Sequence, residues 1–183
     1  MPFQFERAAI PDILIVRPKV FTDARGFFLE TYQARDFAEA GIEATFVQDN
    51  QSGSRRGTLR GLHYQILHPQ GKLIRVLAGE VFDVAVDLRR SSPTYGRWVG
   101  LLMSAEEQQQ LWIPTGFAHG FYVTSEWAEV VYKTTDFYAA EWERTLRWDD
   151  PAVGIQWPIS GGPPHLSEKD AHGAILADAE VFD

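Results

Sequence analysis

The strongest constraint on the fold is the run Glu80–Leu88. Phe82, Val84, Val86 and Leu88 alternate with Val81, Asp83, Ala85 and Asp87. Side chains of a β-strand point to opposite faces with period two. The run therefore predicts a strand with one apolar face and one face carrying two acids. Shorter strand-like runs recur along the chain: Ile13–Val20, Phe27–Tyr32, Thr45–Gln48, Gly61–Gln65, Leu73–Leu77, Trp98–Ser104, Gln110–Ile113, Gly120–Thr124 and Ala128–Thr134. Turn residues separate them, as in Thr22-Asp23-Ala24-Arg25-Gly26. Helix is expected only at Arg35–Ala40, ended by Gly41, and in the tail from Ser167, where Ala171–Ala179 is rich in alanine. Many short, evenly spaced strands predict an all-β jelly-roll sandwich or barrel. Such a fold leaves a mouth between its sheets where a ligand can sit. No repeat, low-complexity tract or linker divides the 183 residues, so residues 1–183 are expected to form a single domain.

Composition excludes several kinds of chemistry. The chain has no cysteine, which removes disulfides, thiolate nucleophiles and cysteine-bound zinc. Its net charge of −8 opposes nucleic-acid binding, which needs a basic footprint. A small anionic ligand needs only a local basic cluster, and Arg55, Arg56, Arg60 and Lys72 lie close together in sequence. No apolar stretch has the length of a membrane span, and Met-Pro-Phe-Gln-Phe-Glu-Arg does not have the pattern of a secretory signal. A cytoplasmic protein without membrane or nucleic-acid partners is expected.

The five histidines are His63, His68, His119, His165 and His172. Metal-binding cupins carry a His-x-His pair on one strand. Here the strand reads His63-Tyr64-Gln65, so the second ligand is missing and no metal or other cofactor is expected. Acid–base chemistry remains. His63 is flanked in sequence by Arg60 and Lys72, cations that do not sit unpaired in an apolar core. Taken singly, the same residues have plain structural readings. Tyr132 can be a packed strand residue, and Ser167-Glu-Lys-Asp170 a variant helix cap.

Taken together, the motifs resemble one family. Asp23-Ala-Arg25-Gly-Phe27-Phe28-Leu-Glu30, Phe46-Val-Gln48-Asp-Asn50-Gln-Ser52 and Arg60-Gly-Leu-His63-Tyr-Gln65 occur in order. Gly71-Lys72, Gly79–Asp87, Leu111–Pro114, Phe117–Phe121, Tyr132–Tyr138, Glu141–Arg144, Trp148–Pro151 and Leu166–Asp170 continue the series at matching intervals. The set is similar to the dTDP-4-dehydrorhamnose 3,5-epimerase family across nearly the whole chain. Departures are few: Trp142 stands where histidine is common, Thr145-Leu146 where Gly-Ile is usual, and Thr115 where glutamate is frequent.

The resemblance implies a metal-free, cupin-type jelly roll, a homodimer, acting on a dTDP-4-keto-6-deoxyhexose. It implies that His63 is the base and Asp170 its orienting partner. Tyr132 would be the acid on the opposite face, and Lys72 the cation at the C4 oxygen. It implies ligand contacts at Arg25, Glu30, Gln48, Asn50, Arg60, His119, Glu143 and Lys169, and a ring stacking on thymine at Tyr138, with Phe28 as a further aromatic partner. These residue types suit the reaction. Imidazole takes up a proton near neutral pH, and a cationic donor stabilises the enolate oxygen by about 3 kcal/mol. Diphosphate suits arginine and lysine, and a nucleobase suits an aromatic face. Inversion of one centre only, at C3 or C5, would use the same residues. A non-catalytic sugar-nucleotide binder and a metal-dependent cupin enzyme are the alternatives from other classes. The N-terminal segment, with Phe3 and Phe5, offers a strand that a partner subunit could take up.

Overall fold

The computed structural model describes residues 2–183. In chain order the elements are β1 (Phe3–Arg7), β2 (Leu14–Pro18), β3 (Val20–Asp23), β4 (Gly26–Leu29), α1 (Ala34–Glu39), β5 (Gln48–Arg55), β6 (Leu59–Gln65), β7 (Lys72–Ala78), β8 (Glu80–Asp87), β9 (Trp98–Ser104), β10 (Gln110–Ile113), β11 (Phe117–Val123), β12 (Trp127–Thr134), β13 (Glu143–Thr145) and α2 (Glu168–Ala171). One sheet has the order β1-β2-β10-β7-β12-β5 and the other β13-β6-β11-β8-β9. All pairings within them are antiparallel. The fold is the all-β sandwich expected from the strand spacing, and the cupin-like type that the resemblance implies.

The space between the sheets holds the main core. Ile74, Val76, Leu111, Ile113 and Val130 come from the first sheet, and Val81, Ala85, Val99, Phe121 and Val123 from the second. Each fully buried side chain of this size contributes about 1.5–3 kcal/mol. Both outer faces are also covered. Phe3, Leu14, Val16, Leu73 and Trp112 pack under Phe37 of α1 and Ile42. Val84, Val86, Leu88 and Leu62 pack under Val153, Trp157, Leu176 and Phe182 of the C-terminal stretch.

This double cover explains the pattern of β8. Its apolar face is buried beneath the C-terminal stretch, and its acidic face turns into the sandwich interior, where Asp83 and Asp87 are both fully buried. Asp87 is held by Arg89, Ser92 and Thr94. Burial pushes its carboxyl up, but these bonds outweigh burial and bring it down to about 2.

Several elements differ from the sequence expectation: β3 runs into the residues read as a turn, β13 is unexpected, and two further stretches change character. The strand expected at Thr45–Gln48 instead runs from Gln48 to Arg55, through a wholly polar stretch. It is the edge of its sheet and takes its stability from pairing with β12 along Trp127–Thr134, not from an apolar face. The tail is helical only at Glu168–Ala171. Gly173 follows, and a Cβ there would lie 2.9 Å from the Arg147 backbone. The chain continues as irregular structure whose apolar side chains cover the sheet.

Candidate active site

A cleft of about 850 Å³ opens between the sheets. The first sheet supplies Asn50, Lys72 and Tyr132, and the second supplies Arg60, His63, His119 and Glu143. Tyr138, Lys169 and Asp170, from the loop after β12 and from α2, complete the wall.

Close approach of β6 and β11 sets the position of His63. Gly61 has φ +124°, and a Cβ there would lie 2.5 Å from Gly120 Cα, so only glycine fits. The register then places His63 opposite His119 on one side and Thr145 on the other. His63 Nε2–H donates to Asp170 Oδ1 at 2.5 Å. Asp170 Oδ1 belongs to a side chain that is 4% exposed, against 28% for His63. Burial raises the Asp170 carboxyl, but its bond with His63 leads the effects that leave it below the ordinary carboxylate range. Ser167 Oγ accepts the Asp170 backbone N–H at 3.1 Å. The spacing that reads as a helix cap is one, and it also frees the Asp170 side chain for His63.

Lys72 is buried, and its Nζ donates to the His63 carbonyl at 3.3 Å. Desolvation lowers its ammonium to about 8, against the opposing pull of Asp83 and Glu143. Lys72 thus stays mostly charged at pH 7. Across the cleft stands Tyr132, on β12 opposite Asn50 of β5. Burial first, and then Glu143, raise its phenol, which keeps it protonated at neutral pH.

At the mouth, Lys169 Nζ donates to Glu143 Oε1 at 2.8 Å and the Tyr138 hydroxyl donates to Oε2 at 2.9 Å. Burial raises the Glu143 carboxyl, but these two bonds and the nearby cations hold it below its usual value. Gln48 Oε1 accepts the Tyr138 backbone N–H at 3.0 Å, and Gln48 Nε2 donates to Asn50 Oδ1 at 2.9 Å. Tyr138 is 54% exposed, which suits a platform for a planar ligand. Arg60 is aimed by its Nε–H to Ser54 Oγ at 2.9 Å.

Gln65, where a metal cupin has its second histidine, is fully engaged otherwise. Its Nε2 donates to the carbonyls of His68 and Phe137, and its Oε1 accepts from Ala139 N. It anchors the loop that carries Tyr138. Trp142 lies in a short 3₁₀ turn whose carbonyl accepts from Ile66 N, and Thr145 pairs with His63.

Four expected ligand contacts do not line this cleft: Gln48 stands behind it, bonded to Asn50 and Tyr138, and three others stand apart. Arg25 and Phe28 line a separate groove on the hairpin β3–β4, and Glu30 is an exposed residue just beyond it. Among the described residues the hairpin pairs only with itself, and every residue from Val20 to Phe28 is exposed. Arg25 there binds Asp23 at 2.5 Å. The fold thus leaves the hairpin outside this chain's own cleft. Arg55 and Arg56 also fall outside, in a neighbouring groove where Arg56 pairs with Glu126 at 3.1 Å.

The cleft includes residues that sequence reading did not single out. Thr58, Phe121 and His165 line it, and Asp83 holds His119 from behind. Asp83 carried a signal as one of two acids on an alternating strand, His165 as one of five histidines and Phe121 within the motif series. Thr58 is an ordinary residue type at a position that chain order does not relate to the others.

Residues 7–178 match the family described as dTDP-4-dehydrorhamnose 3,5-epimerase. The chain is 60% identical over 177 residues to the dTDP-4-dehydrorhamnose 3,5-epimerase of Pseudomonas aeruginosa, covering 96% of this chain and 97% of that one. Its structure superposes with TM-score 0.94 on a dTDP-6-deoxy-D-glucose-3,5-epimerase of Legionella pneumophila solved with dTDP-4-keto-L-rhamnose, at 50% identity over 97% of this chain and 95% of that one. The dTDP-4-dehydrorhamnose 3,5-epimerase of Elizabethkingia anophelis superposes at 0.93, with 43% identity and coverage of 97% and 98%. Likeness of this extent in sequence and in backbone, around a cleft that carries an imidazole, a phenol and a buried ammonium, means that the chain belongs to the dTDP-4-dehydrorhamnose 3,5-epimerase family.

Proposed function

We propose that the chain inverts C3 and C5 of dTDP-4-keto-6-deoxy-D-glucose to give dTDP-4-keto-L-rhamnose, with His63 as base and Tyr132 as acid. The carrying observation is the His63–Asp170 pair at 2.5 Å beside buried Lys72, with Tyr132 lining the same cleft. Asp170 holds Nε2, so Nδ1 is the nitrogen that takes the proton from the carbon next to the ketone. The electron pair of the broken C–H bond moves to the C4 oxygen, and the Lys72 ammonium stabilises that enolate. Tyr132 then delivers a proton to the opposite face of the same carbon. His63 is left with one proton more and Tyr132 with one fewer, and exchange with water resets both. C3 and C5 both adjoin the C4 ketone, so one base and one acid serve each in turn. Arg60 and Lys169 suit the diphosphate, and Tyr138 suits the thymine.

The cycle predicts its own isotope pattern. Turnover of dTDP-4-keto-6-deoxyglucose in D₂O is expected to place deuterium at both C3 and C5, read by proton NMR of the product. Label at one centre only would make it a single-centre epimerase, and label at neither would remove the assignment for this substrate.

The same reading includes a homodimer working in the cytoplasm. The hairpin β3–β4 exposes Phe27 at 62% and Phe28 at 67%, a large apolar surface for a free chain. In the dimer it reaches the cleft of the second copy and brings Arg25, Phe28 and Glu30 to the nucleotide there. β1, by contrast, pairs with β2 of its own chain, and Phe3 is buried against Phe37. Light scattering is expected to give the mass of two chains. Arg25→Ala is expected to weaken dTDP binding about tenfold or more, as loss of a charge-assisted phosphate contact does. A monomer with full activity would overturn this arrangement.

A further inference from the structure

Asp83 lies inside β8, fully buried, on the face turned to the sandwich interior. His119 Nε2–H donates to both of its oxygens, at 3.0 and 2.9 Å. Nδ1 is then the one ring nitrogen of His119 left for the cleft, which His119 lines. The same carboxylate acts on Lys72. Of the two acids that favour the Lys72 ammonium against burial, Asp83 has the larger effect and Glu143 the smaller. Among the described residues, the Lys72 ammonium makes a hydrogen bond only to the His63 carbonyl. A buried ammonium without a counter-charge is not stable in that form.

We propose that Asp83 is the positioning residue of this cleft: it sets the His119 ring with Nδ1 turned to the sugar and supplies the counter-charge that keeps Lys72 an ammonium. Asp83 does not line the cleft, so it acts through these two residues and not on the substrate. The other ionisable groups around Lys72 are engaged elsewhere. Asp170 on α2 is taken by His63 of β6, and Glu143 on β13 is taken by Lys169 and Tyr138. Arg60 on β6 and Tyr132 on β12 complete the surround, one a cation and the other a protonated phenol. Among the described residues, Asp83 has only the His119 ring as a side-chain partner, and it is the acid with the larger effect on Lys72.

The catalytic consequence rests on the epimerase reading, and the spectroscopic consequences do not. In the unaltered protein without substrate, the ring ¹⁵N shifts of His119 are expected to place the proton on Nε2. A proton on Nδ1 alone would overturn the proposal without any variant being made. Asp83→Asn keeps the shape and removes the charge. The titration of Lys72, followed by its ¹³Cε shift, is expected to move from about 8 in the parent to lower pH by about one unit or more. The alkaline limb of kcat should move down with it. A variant with lower melting temperature and a kcat reduced equally at every pH, its alkaline limb unmoved, would show a merely structural role and sink the idea. If both NMR results hold but no dTDP-4-keto sugar is turned over, the epimerase reading fails and the placement of Asp83 stands.

Discussion

His63→Ala is expected to remove turnover by at least about 10²–10⁴-fold, the contribution of a placed general base. Deuterium uptake from D₂O should fall at C3 and C5 together, because one imidazole serves both carbons. Binding should survive. Arg60, Glu143 and Tyr138 each hold their positions through partners other than His63, so dTDP affinity measured by calorimetry is expected to stay near that of the parent. Asp170→Asn should give a smaller loss, since the imidazole remains but its tautomer and orientation are no longer held. Normal turnover by His63→Ala would refute the mechanism outright.

Tyr132→Phe separates the two halves of the reaction. The ring keeps its place in β12 between Asn50 and Ile74, and only the hydroxyl is lost. His63 can still abstract a proton and Lys72 can still hold the enolate. Exchange of the substrate C–H with solvent should therefore persist, while return of a proton to the opposite face fails. Inversion is expected to fall about 10²-fold or more, with exchange reduced far less. The two rates are read from one NMR time course in D₂O. Equal loss of exchange and inversion would mean that Tyr132 assists abstraction, not reprotonation.

The strand pattern was legible because the period-two alternation of β8 and the short apolar runs around it follow directly from strand geometry. β9 and β10 have the bounds expected, since turn residues flank them. β5 was not legible beyond Gln48. An edge strand that faces a polar cleft needs no apolar side chains, and its only stabilising signal is its backbone pairing with β12. The tail misled for the opposite reason: alanine favours helix, but Gly173 packed on Arg147 and the apolar residues that follow are worth more to the fold as a cover over β8.

By itself, the sequence determined the chemical inventory: a histidine, a tyrosine, a lysine and two kinds of anion-binding residue, no thiol, and enough short strands to place them around a mouth. The motif series also carried the family. Only the tertiary structure decided which of these meet. Asp170 is 107 residues from His63 and reaches its ring because α2 returns to β6. Asp83 turns out to face inward because the C-terminal stretch buries the other side of its strand. Arg25, Phe28 and Glu30 stay outside because their hairpin pairs with no other strand among the described residues. Alternation tells which residues share a face of a strand. What covers each face depends on contacts between segments far apart in the chain, and local periodicity carries no record of them.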